Sequence, residues 1–357
     1  MTLLRTGITT GTCAAAAAKA AAMVLCGQPA PESVQLTLPG GQPIEVPVLY
    51  ARLSGERAIA AVRKDAGDDP DVTNALEVVV TVWPAPGEEL VFLAGEGVGT
   101  VTKPGLQVPP GQPAINPVPR QMIAAAIAKV TPQALFIEVS IPGGREVAAR
   151  TFNPRLGIVG GLSILGTTGI VRPYCQKALQ DSLKCSLDVA AACGVREPVL
   201  VPGHIGARAA RARFALTEEQ VVEVSNEWGY VLDLFVRYSF AALLVAGHPG
   251  KLAKLGAGQW DTHSARSASP VGLVGDLCRE VLGRPAPESP TVEGLFAALD
   301  PTPRKQLADA LAVRVRTAVS QRIGGAFPLA VLLANMAGHE LGSDGDLSPW
   351  QRNRSQC

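Results

Sequence analysis

The residues best suited to binding chemistry stand at the ends of three short apolar runs in the second half of the chain. PVLVP at 198–202 runs into PGHIG, which carries Gly203, His204 and Gly206. QVVEVS at 220–225 is followed by Asn226 and Glu227, and AALLVAG at 241–247 ends on Gly247 and is followed by His248. If each run is a strand leading into a helix, these residues lie outside the carboxyl ends of a parallel sheet, where such sheets hold ligands. The glycine loop would then meet a phosphate or an amino-acid group, and the polar end of the second strand a ribose. Ordinary turns between strand and helix would give the same pattern.

Four further segments carry usable groups. GEGVG at 95–99 supplies Gly97 and Gly99, but TVTKPG follows where a dinucleotide fingerprint needs a helix. It reads as a glycine-bulged hairpin that can approach a ligand. Thr9 and Thr10, in TTGT before an alanine-rich helix, either attract an anion to the helix N-terminus or simply cap it. TFNPRLGIVGGLSILGTTGIVRP at 151–173 combines Arg155, Thr167, Thr168 and Arg172, which could hold carboxylates within a tight crossover. KDAGDDPDVTNA carries Asp65, Asp68, Asp69 and Asp71, an Asp-rich turn more than a metal loop. There is no GxSxG or HExxH string, and the four histidines lack ligand spacing, so no metal is expected.

The elements that must position these groups change character along the chain. Residues 13–26 are strong helix formers ending at Gly27, with Thr10 or Thr12 as the expected cap. Alternation predicts strands within 33–62, around a turn at Pro39, Gly40 and Gly41, and further strands at 76–83, 89–94 and 134–141. Six prolines at 104, 109, 110, 113, 117 and 119 exclude a helix or inner strand there, and a helix follows over 119–130. This predicts an α+β domain over 1–165. Strand–helix alternation then predicts a parallel α/β domain over 166–265. Residues 276–341 read as mostly helical, giving a C-terminal segment of helices over 266–357.

Composition narrows the function. The chain has 357 residues, a net charge of +1, 47% hydrophobic residues but only 4% aromatics, with 37 Gly and 29 Pro. A near-neutral chain has no field to attract nucleic acid. The seven cysteines show no CxxC pair, which predicts free thiols in a reducing compartment and a cytoplasmic protein. The run AAAAAKAAAMVLCG mimics a signal peptide, but Lys19 interrupts it, and no stretch approaches a membrane span. Oligomeric state is not legible, and a homo-oligomer stays open.

RTGITTGTCAAAAAKAA, KDAGDDPDVTNA, GEGVGTVTKPGL, PAINPVPRQMI, TFNPRLGIVGGLSILGTTGIV and GKLAKLGAGQWDTHS stand in this order across residues 5–264. Together they resemble the CbiD family, the cobalt-precorrin-5B C1-methyltransferases of anaerobic cobalamin synthesis. The resemblance implies transfer of a methyl group from S-adenosylmethionine to C1 of a cobalt corrinoid, giving cobalt-precorrin-6A. It also implies a Rossmann-like domain in the later part, where Gly203, His204, Gly206, Asn226, Glu227, Gly247 and His248 become the candidate cofactor residues. A polycarboxylate disc needs local cations, and those in the matching blocks are Arg5, Lys64, Lys103, Arg120, Arg155 and Arg172. With Thr9, Thr10, Gly97, Gly99, Thr167 and Thr168 they make the candidate substrate set. Lys103 and Asp65 are the candidate catalytic residues, Asp65 to stabilise ring charge or steer a proton. Two blocks depart from the family pattern: PGHIG has His204 where a PGN-type turn is usual, and Glu227, Trp228, Gly229 and Tyr230 follow Asn226. A nicotinamide-dependent reductase and a non-catalytic corrinoid carrier are the alternatives.

Overall fold

The structure, a computed structural model, describes residues 4–351. They form two compact units that divide between Lys177 and Ala178.

The first unit opens with β1 (Gly7–Ile8) and α1 (Thr10–Leu25). A hairpin of β2 (Ser33–Thr37) and β3 (Pro43–Pro47) follows, then β4 (Tyr50–Ser54), β5 (Arg57–Arg63), β6 (Glu77–Pro84), β7 (Val91–Ala94) and β8 (Thr100–Val101). After α2 (Pro117–Ala128) come β9 (Leu135–Ser140), α3 (Gly144–Ala148), β10 (Ile158–Val159) and β11 (Ile170–Val171). The main sheet has the order β4-β5-β6-β9-β7, antiparallel except for β7 beside β9. Twelve of the sixteen residues of α1 are buried, most of them alanine. A helix with such small side chains lies close against its neighbours, and Ala58, Ala60, Val62, Val78, Val80 and Val82 of β5 and β6 share its core. Lys19 reaches out of that core, and its Nζ donates to the Gln35 carbonyl at 2.8 Å. The helix cap is Thr9, ahead of the expected Thr10 or Thr12, because the Thr9 hydroxyl accepts the Thr12 N–H at 3.2 Å. Both prolines of α2 fall in its first turn, where no N–H is needed.

The second unit contains α4 (Gln176–Ala192, starting just ahead of the division), β12 (Val199–Val201), α5 (His204–Arg213), β13 (Val221–Glu223), α6 (Trp228–Phe235), β14 (Leu243–Gly247) and α7 (Pro249–Gly256). Then come α8 (Val271–Leu282), α9 (Val292–Ala297), α10 (Pro301–Arg322), β15 (Leu329–Ala334) and β16 (Glu340–Asp344). The sheet order is β13-β12-β14-β15-β16, with the first four strands parallel and β16 antiparallel. Leu243 and Val245 of β14 enter one core, Leu244 and Ala246 the other, so both faces are covered.

Two strands correct the expected helical tail. LAVLLA at 329–334 is buried along its whole length and pairs with β14, and 340–344 forms the edge strand beside it. A six-residue apolar run too short for a core helix is satisfied by a central strand position. Residues after 265 therefore complete the same sheet as β12 to β14. The boundary expected at 165 falls inside the first unit, because β11 pairs with β1. No helix among the described residues is long and apolar enough to cross a membrane. The six described cysteines are free, and burial pushes the Cys13 thiol up to about 12, which keeps it protonated.

Candidate functional site

In the second unit, strand order reverses between β12 and β14, and the residues singled out from the sequence cluster at those carboxyl ends. Gly206 sits where a Cβ would lie 2.7 Å from the Ala246 carbonyl oxygen, so the first turn of α5 packs directly on the end of β14. Gly247 is equally tight, against Pro202. Gly203 precedes α5 with no side-chain cap, and His204 is exposed. His248 caps α7: its Nδ1 accepts the Gly250 N–H at 3.0 Å. That leaves Nε2 to carry the proton donated to Glu293 at 2.6 Å. Both ring nitrogens are engaged within the protein. Glu227 is buried and accepts from Gln180 at 2.9 Å.

Asn226 is held by two donors. Its Oδ1 accepts from Lys251 Nζ at 2.7 Å and from the Thr262 hydroxyl at 3.1 Å. Two donors on one oxygen fix the amide orientation, so its NH2 group faces away from them as a donor pair. Ser225, just before it, has φ +54°, a left-handed turn rarely adopted by serine. Lys254, only 6% exposed, donates to Thr262 O and the Ser267 hydroxyl.

In the first unit, the same kinds of residue are largely occupied with one another. Thr10 bonds Ser163 O, Leu165 O and Leu165 N, while the Thr12 hydroxyl donates to Gly169 O. The TTGT turn is thereby pinned to the glycine-threonine loop, and Thr9 and Thr10 are buried. Thr167 and Thr168 on that loop stay exposed, as does Arg172, which has no ion-pair partner among the described residues. The close approach that Gly97 permits is to the chain itself: its φ is +69° and a Cβ would lie 2.0 Å from Ile141 O. Gly99 is closed in the same way by Ile158 and Gly161. The side of the loop that these two glycines leave without a side chain is filled by 141–144 and 158–162.

Every aspartate of the acidic turn is engaged within the protein. Asp65 forms a two-pronged pair with the Arg5 guanidinium, which, with the Gly67 N–H, holds its carboxyl below the usual range. Asp68 accepts the Arg5 N–H at 2.6 Å and Asp69 the Tyr174 N–H at 2.9 Å. Asp71 accepts from the buried Lys64 at 2.6 Å. Among the described residues no three His, Cys, Asp or Glu side chains converge as metal ligands. Arg120 is half-buried, donates to Ile115 O at 2.8 Å and lies over the Phe92 ring, and burial lowers its pKa. Lys103 packs its stem against Gly157, and the exposed Arg155 lies over Phe152.

The family model described as CbiD matches residues 1–173. The cobalt-precorrin-5B C(1)-methyltransferase of Syntrophotalea carbinolica is 54% identical over 348 residues, covering 98% of this chain and 99% of that protein. This chain belongs to the CbiD family. The protein of the same name from Moorella thermoacetica is 41% identical over 353 residues, covering 96% and 95%. A crystal structure of the cobalamin biosynthesis protein (cbiD) from Archaeoglobus fulgidus is 30% identical, covers 74% of this chain and 83% of that one, and superposes with a TM-score of 0.40.

Within this CbiD chain, the fold brings the seven cofactor candidates to the strand ends of one sheet. It disperses the substrate candidates over several loops of the first unit. Sequence reasoning missed Lys251, Lys254 and Thr262, although all three stand in GKLAKLGAGQWDTHS. The signal was present as two lysines three residues apart on a helix, a spacing that puts them on one face. It also missed Asn153, whose buried amide donates to Gly161 O at 3.0 Å and accepts from Ser163, organising the loop that carries Arg155.

Proposed function

We propose that this chain is an S-adenosylmethionine-dependent C-methyltransferase that methylates C1 of cobalt-precorrin-5B in cobalamin biosynthesis. The observation that carries this is the near full-length identity to a relative of that name. The second unit fits the cofactor as a Rossmann-like ligand site. Three of its four parallel strands, β12, β13 and β14, end at the candidate residues: bare backbone at Gly203, Asn226, and the close-packed Gly206 and Gly247. When bound, S-adenosylmethionine supplies a methyl group on a sulfonium, displaced in line by a ring carbon, so no protein nucleophile is required. The absence of a catalytic triad or metal string in the sequence is compatible with that chemistry.

The protein's part is placement. Gly203 leaves backbone open to the cofactor, and Gly206 and Gly247 let the first turn of α5, the end of β14 and Pro202 pack closely around the site. Asn226 orients the cofactor, and Glu227 and His248 act through their bonds to Gln180 and Glu293. Exposed Arg155, Arg172, Thr167 and Thr168 suit the carboxylate arms of the corrinoid. Arg5 and Asp65 are exposed as a pair and can exchange each other for a substrate arm or a proton. Lys103 remains a candidate catalytic group. Lys64 and Arg120 are engaged inside the fold.

Calorimetry of the purified protein is expected to show binding of S-adenosylhomocysteine. Incubation of cobalt-precorrin-5B with methyl-labelled S-adenosylmethionine is expected to add one labelled methyl group to the corrinoid. Folded protein that transfers no label to the corrinoid overturns the reading. Protection by NADPH in place of S-adenosylhomocysteine would favour a reductase, and corrinoid binding without turnover a carrier.

A further inference from the structure

Lys251 and Lys254 form a pair of cations without an anion. Both ammonium groups donate to one oxygen, the Thr262 carbonyl, at 3.3 and 3.2 Å. Their other partners are Asn226 Oδ1 and Ser267 Oγ, both neutral. Neither forms an ion pair among the described residues, although Lys254 is 6% exposed. The nearby carboxylate, Asp261, is taken by Arg266 and by the His263 N–H. Burial, and then the charge of Lys254, lowers the pKa of Lys251. Charges taken out of water are ordinarily paired, so two adjacent cations on neutral acceptors leave a negative partner missing. Asn226 accepts from Lys251 through its amide oxygen, and its NH2 group lies on the far side of that amide, at the edge of the pair.

We infer that Lys251 and Lys254, beside Asn226, form a subsite that binds a carboxylate brought by a ligand. This rests on the methyltransferase reading, in which both reactants bring carboxylates: the amino-acid end of the methyl donor and the arms of the corrinoid. A charge-assisted bond contributes about 1.5–3 kcal/mol, or roughly ten- to a hundredfold in affinity.

Calorimetry on Lys251→Met, with four probes, tests this. If the donor's carboxylate sits there, S-adenosylhomocysteine binds roughly ten- to a hundredfold more weakly, while 5′-methylthioadenosine, which lacks the amino-acid part, binds as before. If a substrate arm sits there, cobyrinic acid weakens, while its amidated relative cobinamide and S-adenosylhomocysteine do not. Lys251→Arg should retain most of the affinity. Lys254→Met should repeat the loss; because Lys254 is buried, the half-buried Lys251 variant stands alone if that protein does not fold. Unchanged affinities, or equal losses for carboxylate and carboxylate-free probes, overturn the subsite. A wild type that binds none of the four probes removes the methyltransferase reading as well, whereas binding by wild type with unaltered variants removes the subsite alone.

Discussion

Lys64→Met is expected to lower the unfolding free energy by about 3 kcal/mol at neutral pH, read as a lower urea midpoint. Lys64 is 2% exposed and donates to Asp71 Oδ2 at 2.6 Å, while Asp71 Oδ1 accepts both the N–H and the hydroxyl of Thr73. Removing the ammonium strands a mostly buried carboxylate. Breaking such a pair costs about 3–5 kcal/mol, and Asp71's residual 26% exposure places this pair at the lower end.

The pH dependence separates this from simple loss of packing. Burial pushes the Asp71 carboxyl up, but the bonds from Lys64 and Thr73 outweigh it and hold the group below its ordinary value. A folded-state pKa below the unfolded one contributes stability that is complete above about pH 4 and is lost as pH falls through the folded pKa. In Lys64→Met the burial effect gains weight, and protonation relieves the variant where it weakens the wild type. The deficit between the two proteins should therefore shrink on acidification below about pH 4. A deficit of the same size at pH 7 and in that acid range would show that Asp71 is not the group left stranded.

How much of this was legible in the sequence depends on the range of the interaction. The strand ends at Gly203, Asn226 and Gly247 could be found because an apolar run followed by a polar or glycine turn is a local signal. The strand at 329–334 was missed, since periodicity alone does not tell a short buried strand from the continuation of the helical stretch that α10 begins, and only its length of six residues argued for a strand. The glycine loops were visible as glycine, but not the reason for them. Gly97 faces Ile141 and Gly161, and Thr12 reaches Gly169, contacts between segments far apart in the chain. Lys64 was read as a loop cation for substrate because nothing local announces that it is buried against Asp71. Lys251 and Lys254 share a helix face, which a sequence reader assigns to solvent. Only the fold shows that the loop after α7 returns to lay Thr262 against both.

Gly97→Ala is expected to have the largest effect on the first unit. Two costs combine. Its φ of +69° lies in the left-handed region, where a side chain costs about 1–2 kcal/mol. The added methyl would also lie 2.0 Å from the Ile141 carbonyl oxygen and 3.0 Å from the Gly144 N. Those are backbone atoms, so no rotamer change relieves the clash. Ile141 is fixed by its own N–H bond to Glu96 O at 2.7 Å, and Gly97 O in turn accepts the Leu162 N–H at 2.8 Å. Moving one strand of this contact breaks the others. The summed cost should exceed about 4 kcal/mol, the range reached only by severe steric or burial defects. Gly111→Ala provides the control, because its φ is +86° but nothing lies within 4 Å of the added methyl. It carries the conformational cost alone, about 1–2 kcal/mol. Urea unfolding of the two variants should rank them widely apart, with Gly97→Ala recovered poorly or unfolded at low denaturant. Similar midpoints for both would mean that the 95–99 loop has room to shift, and would reopen it as a surface that a ligand can approach.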